Sequence, residues 1–388
     1  MTDRPLRIVL IIPTITRGGG GVSEAARLLA WEWAQRDDTE IEVVTLRTNG
    51  FEEARADWPD VPIHAFERHR LRRFGYAPEM TRFLKAQDYD IAHVHGLWMY
   101  HCLAALRWSE EHQRPYVVTP HGMLEAWILA RSKMVKRAVS LVFHSRFLKR
   151  ASLFHVLTTK ETEDVKAVVP EAKVLVVPNF VPTPPRAAKR PKWWRHEMED
   201  RRVLLFFGRI HDKKGWRELV SAWEALSASD PGFAETVYLV FCGWVDAADG
   251  FEAKISEVEN TYGNITFAGP QYGEDRLLSY SASDAFILPS KSEGLPMSIL
   301  EAWAIGLPVL MTEACNLPLG FTHDAAIRIG ESAADLREAL HDFKALPEAR
   351  LRQIGDNGQR LQEQVYSAKA CSESLRMAFS EIAKKEVD

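Results

Sequence analysis

Short apolar runs recur along this chain, separated by longer stretches whose apolar residues follow helical spacing. RIVLIIP near the start is followed by IEVVTL (41–46), DIAHVH (90–95) and PYVVT (115–119). A second series comprises Val203–Phe207, VYLVFCGW (237–244), ITFAGP (265–270) and Ala285–Leu288. Runs this short and this uniformly apolar predict strands buried on both faces, and their alternation with helices is the pattern of doubly wound parallel sheets. VPTPPRAAKRPKWWRHEMEDRR (181–202), rich in proline and charge, divides the two series. The reading is therefore α/β, with one domain over 1–185, a linker over 181–202 and a second domain over 200–359. Residues 360–383, rich in Ala, Leu, Glu and Lys, predict a terminal helix.

Ligands of such sheets gather at the carboxyl ends of the strands. After Ala285–Leu288 comes a polar loop, then a helix predicted to take Pro296 as its first residue and to stop at Gly306. Glu293 stays in the loop, while Glu301 lies about 7.5 Å along the helix axis. The backbone N–H groups of Met297 and Ser298 can face a diphosphate there, with Glu293 near sugar hydroxyls and Glu301 near a ribose. A surface helix with two ordinary acids has the same spacing. GRIHDKKG (208–215) follows the first strand of the second series and reads, taken alone, as a solvated basic turn.

In the amino-terminal half, TITRGGGGVSEAARLLAWEWAQR is a glycine-rich turn entering an amphipathic helix. Gly18–Gly21 match a dinucleotide-binding fingerprint only loosely, and Arg47 after the second strand stands where NAD sites place an acid. Asp88 and Asp90 form an Asp-x-Asp pattern, but Asp90 opens an apolar strand, so strand entry is the simpler role than metal binding. His93 and His95 share one strand face. They have zinc-like spacing without an evident third ligand, and a packed or ligand-lining role is the alternative. His121 falls at the carboxyl edge of PYVVT, as either a structural or a chemical histidine. RSKMVKRAVSLVFHSRFLKR (131–150) carries seven Lys or Arg, no acid and many apolar residues, and Arg68, Arg70, Arg72 and Arg73 add to the charge nearby. That composition fits either an anionic membrane surface or a partly buried helix with a solvated face. No aromatic-rich motif accompanies it, which argues against nucleic acid.

The stretch 283–312 resembles the carboxy-terminal signature of retaining GT-B glycosyltransferases, group 1 or family 4-like. Glu293 and Glu301 stand eight apart, followed by Ala302 and by Gly306–Val309, with one departure at Pro296, where relatives carry glycine. GRIHDKKG resembles the family's Gly-Arg-loop-Lys-Gly element. Pro-His-Gly-Met-Leu at 120–124 resembles a signature of exopolysaccharide and lipid-linked glycan transferases. The resemblance implies two Rossmann-like domains facing across a cleft, with the terminal helix crossing back to the first. It implies that Arg209 and Lys214 clamp the donor diphosphate, that Glu301 holds the ribose, and that His121 and Glu293 contact the transferred sugar. Gly20 and Gly21 align with a glycine pair lining the cleft, and residues Gly269 to Gly273 with the cradle of the base. The implied reaction moves a hexose from a UDP- or GDP-linked donor to a glycan, polyprenyl-diphosphate-linked in this branch, with no divalent metal or other cofactor. A sugar-nucleotide epimerase or phosphorylase of the same fold, and a non-catalytic nucleotide-sugar binder, are the alternatives.

Charge agrees with a two-part chain: residues 1–187 sum to +4 and the remainder to −8 within the overall −4. With 388 residues, 46% of them hydrophobic, the chain can fill two cores. No apolar stretch approaches the ~18 residues of a spanning helix, and Ile8–Ile12 is too short for the core of a signal peptide. Four widely spaced cysteines form no metal or redox motif and read as free thiols of a reducing cytoplasm, with the basic segment pointing to the cytoplasmic face of a membrane.

Overall fold

A computed structural model describes residues 4–69, 74–130, 137 and 139–385. The chain divides into two compact units, one reaching from the amino terminus to Phe180 and resuming at Ala368, the other spanning Val181–Ser367. In the first, seven strands run in parallel: β1 (Leu6–Ile12), β2 (Thr39–Leu46), β3 (Ile63–Phe66), β4 (Ile91–His95), β5 (Tyr116–Thr119), β6 (Leu153–Val156) and β7 (Val174–Val176). Their order is β3-β2-β1-β4-β5-β6-β7. β1 lies in the interior of the sheet, so Ile8–Ile12 are buried without a break, which is why that run does not alternate. The strand order reverses between β1 and β4, and at their carboxyl ends stand the glycine-rich turn and His95.

The second unit repeats the plan with β8 (Arg202–Phe207), β9 (Val237–Cys242), β10 (Ile265–Gly269), β11 (Ala285–Leu288), β12 (Val309–Met311) and β13 (Ala326–Arg328), ordered β10-β9-β8-β11-β12-β13. Here the reversal falls between β8 and β11. The loops leaving those two strands are GRIHDKKG and the segment before Glu293, so the topology alone brings them side by side.

Three sequence expectations need correction. The single helix expected over 360–383 is two helices, Glu348–Val365 and Ala368–Lys385. Neither proline nor glycine marks the break. Tyr366 is buried against Trp303, with ring centroids 5.9 Å apart, while Gln362 donates to Val181 O, so packing of the second unit ends the first helix. The second helix packs on the first unit, where Phe379 meets Trp33 edge-on at 5.4 Å and Trp33 Nε1 donates to Ser372 O. The segment 181–202, read as a linker, falls within the second unit, where Ala187 N and Trp193 Nε1 donate to Ser281 and Ser279 and Arg195 pairs with Glu259. Pro296 is the residue before the helix rather than its first, with ψ at 109°.

Candidate active site

In the second unit the site begins where β8 ends. Gly243, after β9, has φ 146°, and a methyl group there would sit 1.7 Å from Gly208 O, so only glycine lets the two turns touch. Ile210 N then donates to Trp244 O, and Arg209 reaches Asp246 at 3.0 Å. A short turn, Asp212–Lys214, is capped by the His211 ring, which accepts from Lys213 N, and closes at Gly215 with φ 74°. A methyl group at Gly215 would stand 2.1 Å from Pro289 O. Lys291 N also donates to Lys213 O. This close approach of two loops sets Lys214 Nζ 2.6 Å from Glu293 Oε1.

Glu293 is only 7% exposed and accepts a second bond from Ser290 Oγ at 2.6 Å. Its backbone is fixed as well: its N–H donates to Ala314 O, and Asn316 Nδ2 donates to its carbonyl. Burial raises the carboxyl, but the charges of Lys214 and Lys213 and hydrogen bonds from Lys214 and Ser290 outweigh it, leaving Glu293 below the ordinary 4.5. Four residues on, the Met297–Ala304 helix starts without a side-chain cap. Among the described residues none accepts from the N–H of Met297 or Ser298, so the positive end of the helix stays open. Glu301, in that helix, is held by Arg276, whose Nε lies 3.1 Å from Oε2.

In the first unit a turn at Arg17–Gly19 leads to a helix beginning with Gly20 and Gly21, and Ser23 Oγ ties it back to Thr14 O at 2.7 Å. His121 follows β5 by two residues, with φ 53°. The turn it sits on is anchored by the buried Glu161, which accepts from Gly122 N at 2.6 Å and Leu157 N at 2.7 Å. His95 Nδ1 lies 3.0 Å from His121 Nε2, with the rings stacked. Behind His95 come His93, Thr119 and His155, all from the carboxyl ends of β4, β5 and β6. Sequence reading missed Thr119 and His155. The His93 and His95 imidazoles, the pair with zinc-like spacing, bond to each other at 3.2 Å. Asp90 takes the strand-entry role, accepting from Arg4 and Arg7 N.

The two halves of the chain each match a known sequence family. The pattern of the Glycosyl transferase 4-like domain covers residues 20–179, and that of Glycosyl transferases group 1 covers residues 191–361. The chain belongs to the group 1 GT-B glycosyltransferases. Among similar proteins is the D-inositol 3-phosphate glycosyltransferase of Actinosynnema mirum, 27% identical over 67% of this chain and 65% of that protein, so the match falls short of two thirds of the relative's length. Another is the alpha-galactosylglucosyldiacylglycerol synthase of Streptococcus pneumoniae, 24% identical over 52% of this chain and 54% of that one. In three dimensions the glycosyltransferase is similar to Anabaena HepE in complex with UDP and glucose (TM-score 0.75, 17% identity, 97% of this chain and 99% of that one). It is also similar to the sucrose-phosphate synthase of Thermosynechococcus elongatus (TM-score 0.74, 17% identity, 97% and 99%). At such identities these two likenesses concern the fold.

The basic segment of this glycosyltransferase is only partly described: Arg70, Arg72, Arg73, Arg131, Lys133, Met134, Val135 and Lys136 lie outside the described residues. In the remainder, Phe143, Phe147 and Leu148 are buried, whereas Leu141 and Val142 stand 82% and 80% exposed. Arg146 is paired with Glu110 at 2.6 Å, so part of the charge is neutralised within the unit. Among the described residues no helix is long and apolar enough to cross a membrane.

Proposed function

We propose that the enzyme moves a hexose from a UDP- or GDP-linked donor to a glycan acceptor with retention of anomeric configuration. The observation that carries this reading is the junction of the two loops in the second unit. It sets the buried Lys214–Glu293 pair beside an uncapped helix start. Lysine has three N–H donors, so Lys214 can keep Glu293 and still offer a donor to a phosphate oxygen. Arg209 and the N–H groups of Met297 and Ser298 complete the set of positive groups toward a diphosphate. As the glycosidic bond breaks, negative charge accumulates on the leaving nucleotide, and fixed donors stabilise it without reorganising. The departing phosphate oxygen then takes the acceptor's proton on the same face of the sugar. Glu301 takes the ribose, Glu293 and His121 orient the hexose, and Gly20 and Gly21 leave room for it. No divalent metal takes part.

The acceptor in this reading is a growing glycan on polyprenyl diphosphate. Its support is the exposed Leu141 and Val142 within a basic segment, a pairing suited to the cytoplasmic face of an anionic bilayer. The test is thermal stability with UDP, GDP, ADP, NAD and NADP in parallel, with and without EDTA. A ligand at 100 times its Kd stabilises the fold by ~2.7 kcal/mol. Selective stabilisation by UDP or GDP, unchanged by EDTA, is expected, and UDP- or GDP-hexoses should then yield a new glycoside that keeps the donor's anomeric configuration. Stabilisation by NAD or NADP alone would overturn the reading.

A further inference from the structure

Four side chains link a backbone carbonyl to His121 through unbroken hydrogen bonds, and the direction of every bond is determined. His155 Nε2 lies 2.8 Å from Val177 O. A carbonyl only accepts, so His155 carries its proton on Nε2. His93 and His95 are buried in β4 and His155 in β6, on either side of β5, and an imidazolium there would lose its hydration beside other imidazoles. Burial, and then the neighbouring histidines, hold His93 and His95 well below the usual 6.5. Burial lowers His155 to about 4 despite its bond to Val177 O. Neutral His155 therefore has a bare Nδ1, 2.9 Å from Thr119 Oγ1.

The Thr119 hydroxyl has one proton. Aimed at His155 Nδ1 it satisfies both atoms; aimed elsewhere it sets two lone pairs against each other at 2.9 Å in a buried place. Thr119 Oγ1 must then accept from His93 Nε2–H, 2.7 Å away. That leaves His93 Nδ1 bare, to accept from His95 Nε2–H at 3.2 Å. His95 Nδ1 is in turn bare, and accepts from His121 Nε2–H at 3.0 Å. Trp33, 6.4 Å from His93, and Phe379, edge-on at 5.1 Å, pack against the middle of the chain.

We propose that His95, His93, Thr119 and His155 are positioning residues: their one-way chain from Val177 O fixes His121 as the Nε2–H tautomer, so that Nδ1 meets the ligand as a hydrogen-bond acceptor. In the proposed function, on which this assignment of the ligand rests, His121 accepts from a hydroxyl of the transferred hexose. A ligand presenting only an acceptor at that point, such as a deoxyfluoro sugar, is refused. His121 is also the wrong tautomer to donate to a phosphate oxygen.

The test is a long-range proton–nitrogen NMR correlation of histidine-labelled protein without ligand at pH 7.5, with His121 assigned by the signals lost in His121→Gln. A protonated Nε2 and a bare Nδ1 on His121 are expected. Thr119→Val, close in shape but without the hydroxyl, should give mixed tautomers at His121 and about tenfold slower transfer at nearly unchanged donor KM, and Thr119→Ser should restore both. A proton on Nδ1 in the wild type, or an unaltered Nε2–H tautomer in a folded Thr119→Val, would overturn the proposal. The tautomer is read without substrate. A protein with the expected tautomer but no transfer activity would therefore sustain the hydrogen-bond chain and sink only the functional reading.

Discussion

Lys214 and Glu293 come from loops that follow different strands, yet their side chains meet at 2.6 Å and are only 12% and 9% exposed. The contact exists because Gly215 and Pro289 pack at a distance no other residue at 215 would allow. Two charges held this far from water depend on each other. Removing one strands the other, which costs about 3–5 kcal/mol, whereas replacing both with neutral groups of similar size costs far less. Lys214→Met should therefore lower stability in chemical denaturation by about that amount, and Lys214→Met/Glu293→Gln should recover much of it. Equal stabilities for the single and double variants would show that the pair is not coupled.

The same pair predicts a pH dependence. Glu293 has a folded value depressed below 4.5, so its contribution to stability is complete above about 4.5 and is lost as pH falls through the lower folded value. Glu293→Gln should flatten the stability curve of the second unit below pH 4.5 while leaving its shape above pH 5 intact. Urea titrations across pH 3–6 measure this directly.

Glu301 is 15% exposed on its side chain and bonded to Arg276 from the Gly273–Ser281 helix. If Glu301 holds the donor ribose, Arg276 sets the direction of that carboxylate. Arg276→Ala should raise donor KM several-fold with kcat little changed, and Glu301→Ala should raise it further. A fall in kcat at constant KM would place Arg276 in the chemical step instead.

Strands β1, β2, β4, β5, β8, β9, β10 and β11 were legible from the sequence because an unbroken apolar run as short as Ile8–Ile12 suits a strand far better than a helix, whereas β3, β6, β7, β12 and β13 were not read. Glu293 and Glu301 were legible as candidates because they sit in a loop and helix leaving a strand's carboxyl end, whereas Arg209 and Lys214 stood out only through the resemblance of GRIHDKKG to a family element. Their distant partners were not legible. Asp246, Arg276 and Asn316 reach them from neighbouring elements, and nothing in local spacing announces a hydrogen bond between residues so far apart along the chain. His155 stood in plain view in SLFHVLTT, but its link to His93 depends on strand order, and β4-β5-β6 adjacency is a property of the whole sheet. The helix break at Tyr366 escaped for the same reason. Its cause is Trp303, which belongs to a helix much earlier in the chain.

Leu141 and Val142 offer a direct check on the membrane. Adjacent aliphatic side chains more than three-quarters exposed are stabilised by transfer into a bilayer interface, on the order of 1–2 kcal/mol each. Leu141→Ser/Val142→Ser should reduce sedimentation with vesicles rich in anionic lipid by tenfold or more, with melting temperature unchanged because neither residue packs on the core. Binding that survives the substitution but vanishes at high salt would assign the contact to the arginines and lysines alone.

The histidines of the first unit predict an acid response distinct from that of Glu293. Burial lowers His101 and His155 to about 4 and His121 and His144 to about 3, with His93 and His95 also well below 6.5. In the unfolded chain these groups bind protons once the pH drops below about 6.5, while the folded unit excludes them. The unfolded state then binds more protons, so stability rises with pH across this window, is complete above about 6.5 and erodes steadily toward pH 4. In the second unit His211 is also lowered, by burial first and then by Arg209, but no cluster of buried histidines joins it among the described residues. Acid should therefore open the first unit before the second. Hydrogen exchange at pH 5 and 7.5 should show protection lost at pH 5 in peptides covering β4, β5 and β6, while those covering β8 and β11 change little. Parallel loss in both sheets would mean that buried imidazoles do not set the acid limit. Retained protection at pH 5 would mean that the histidine chain accepts protons without opening.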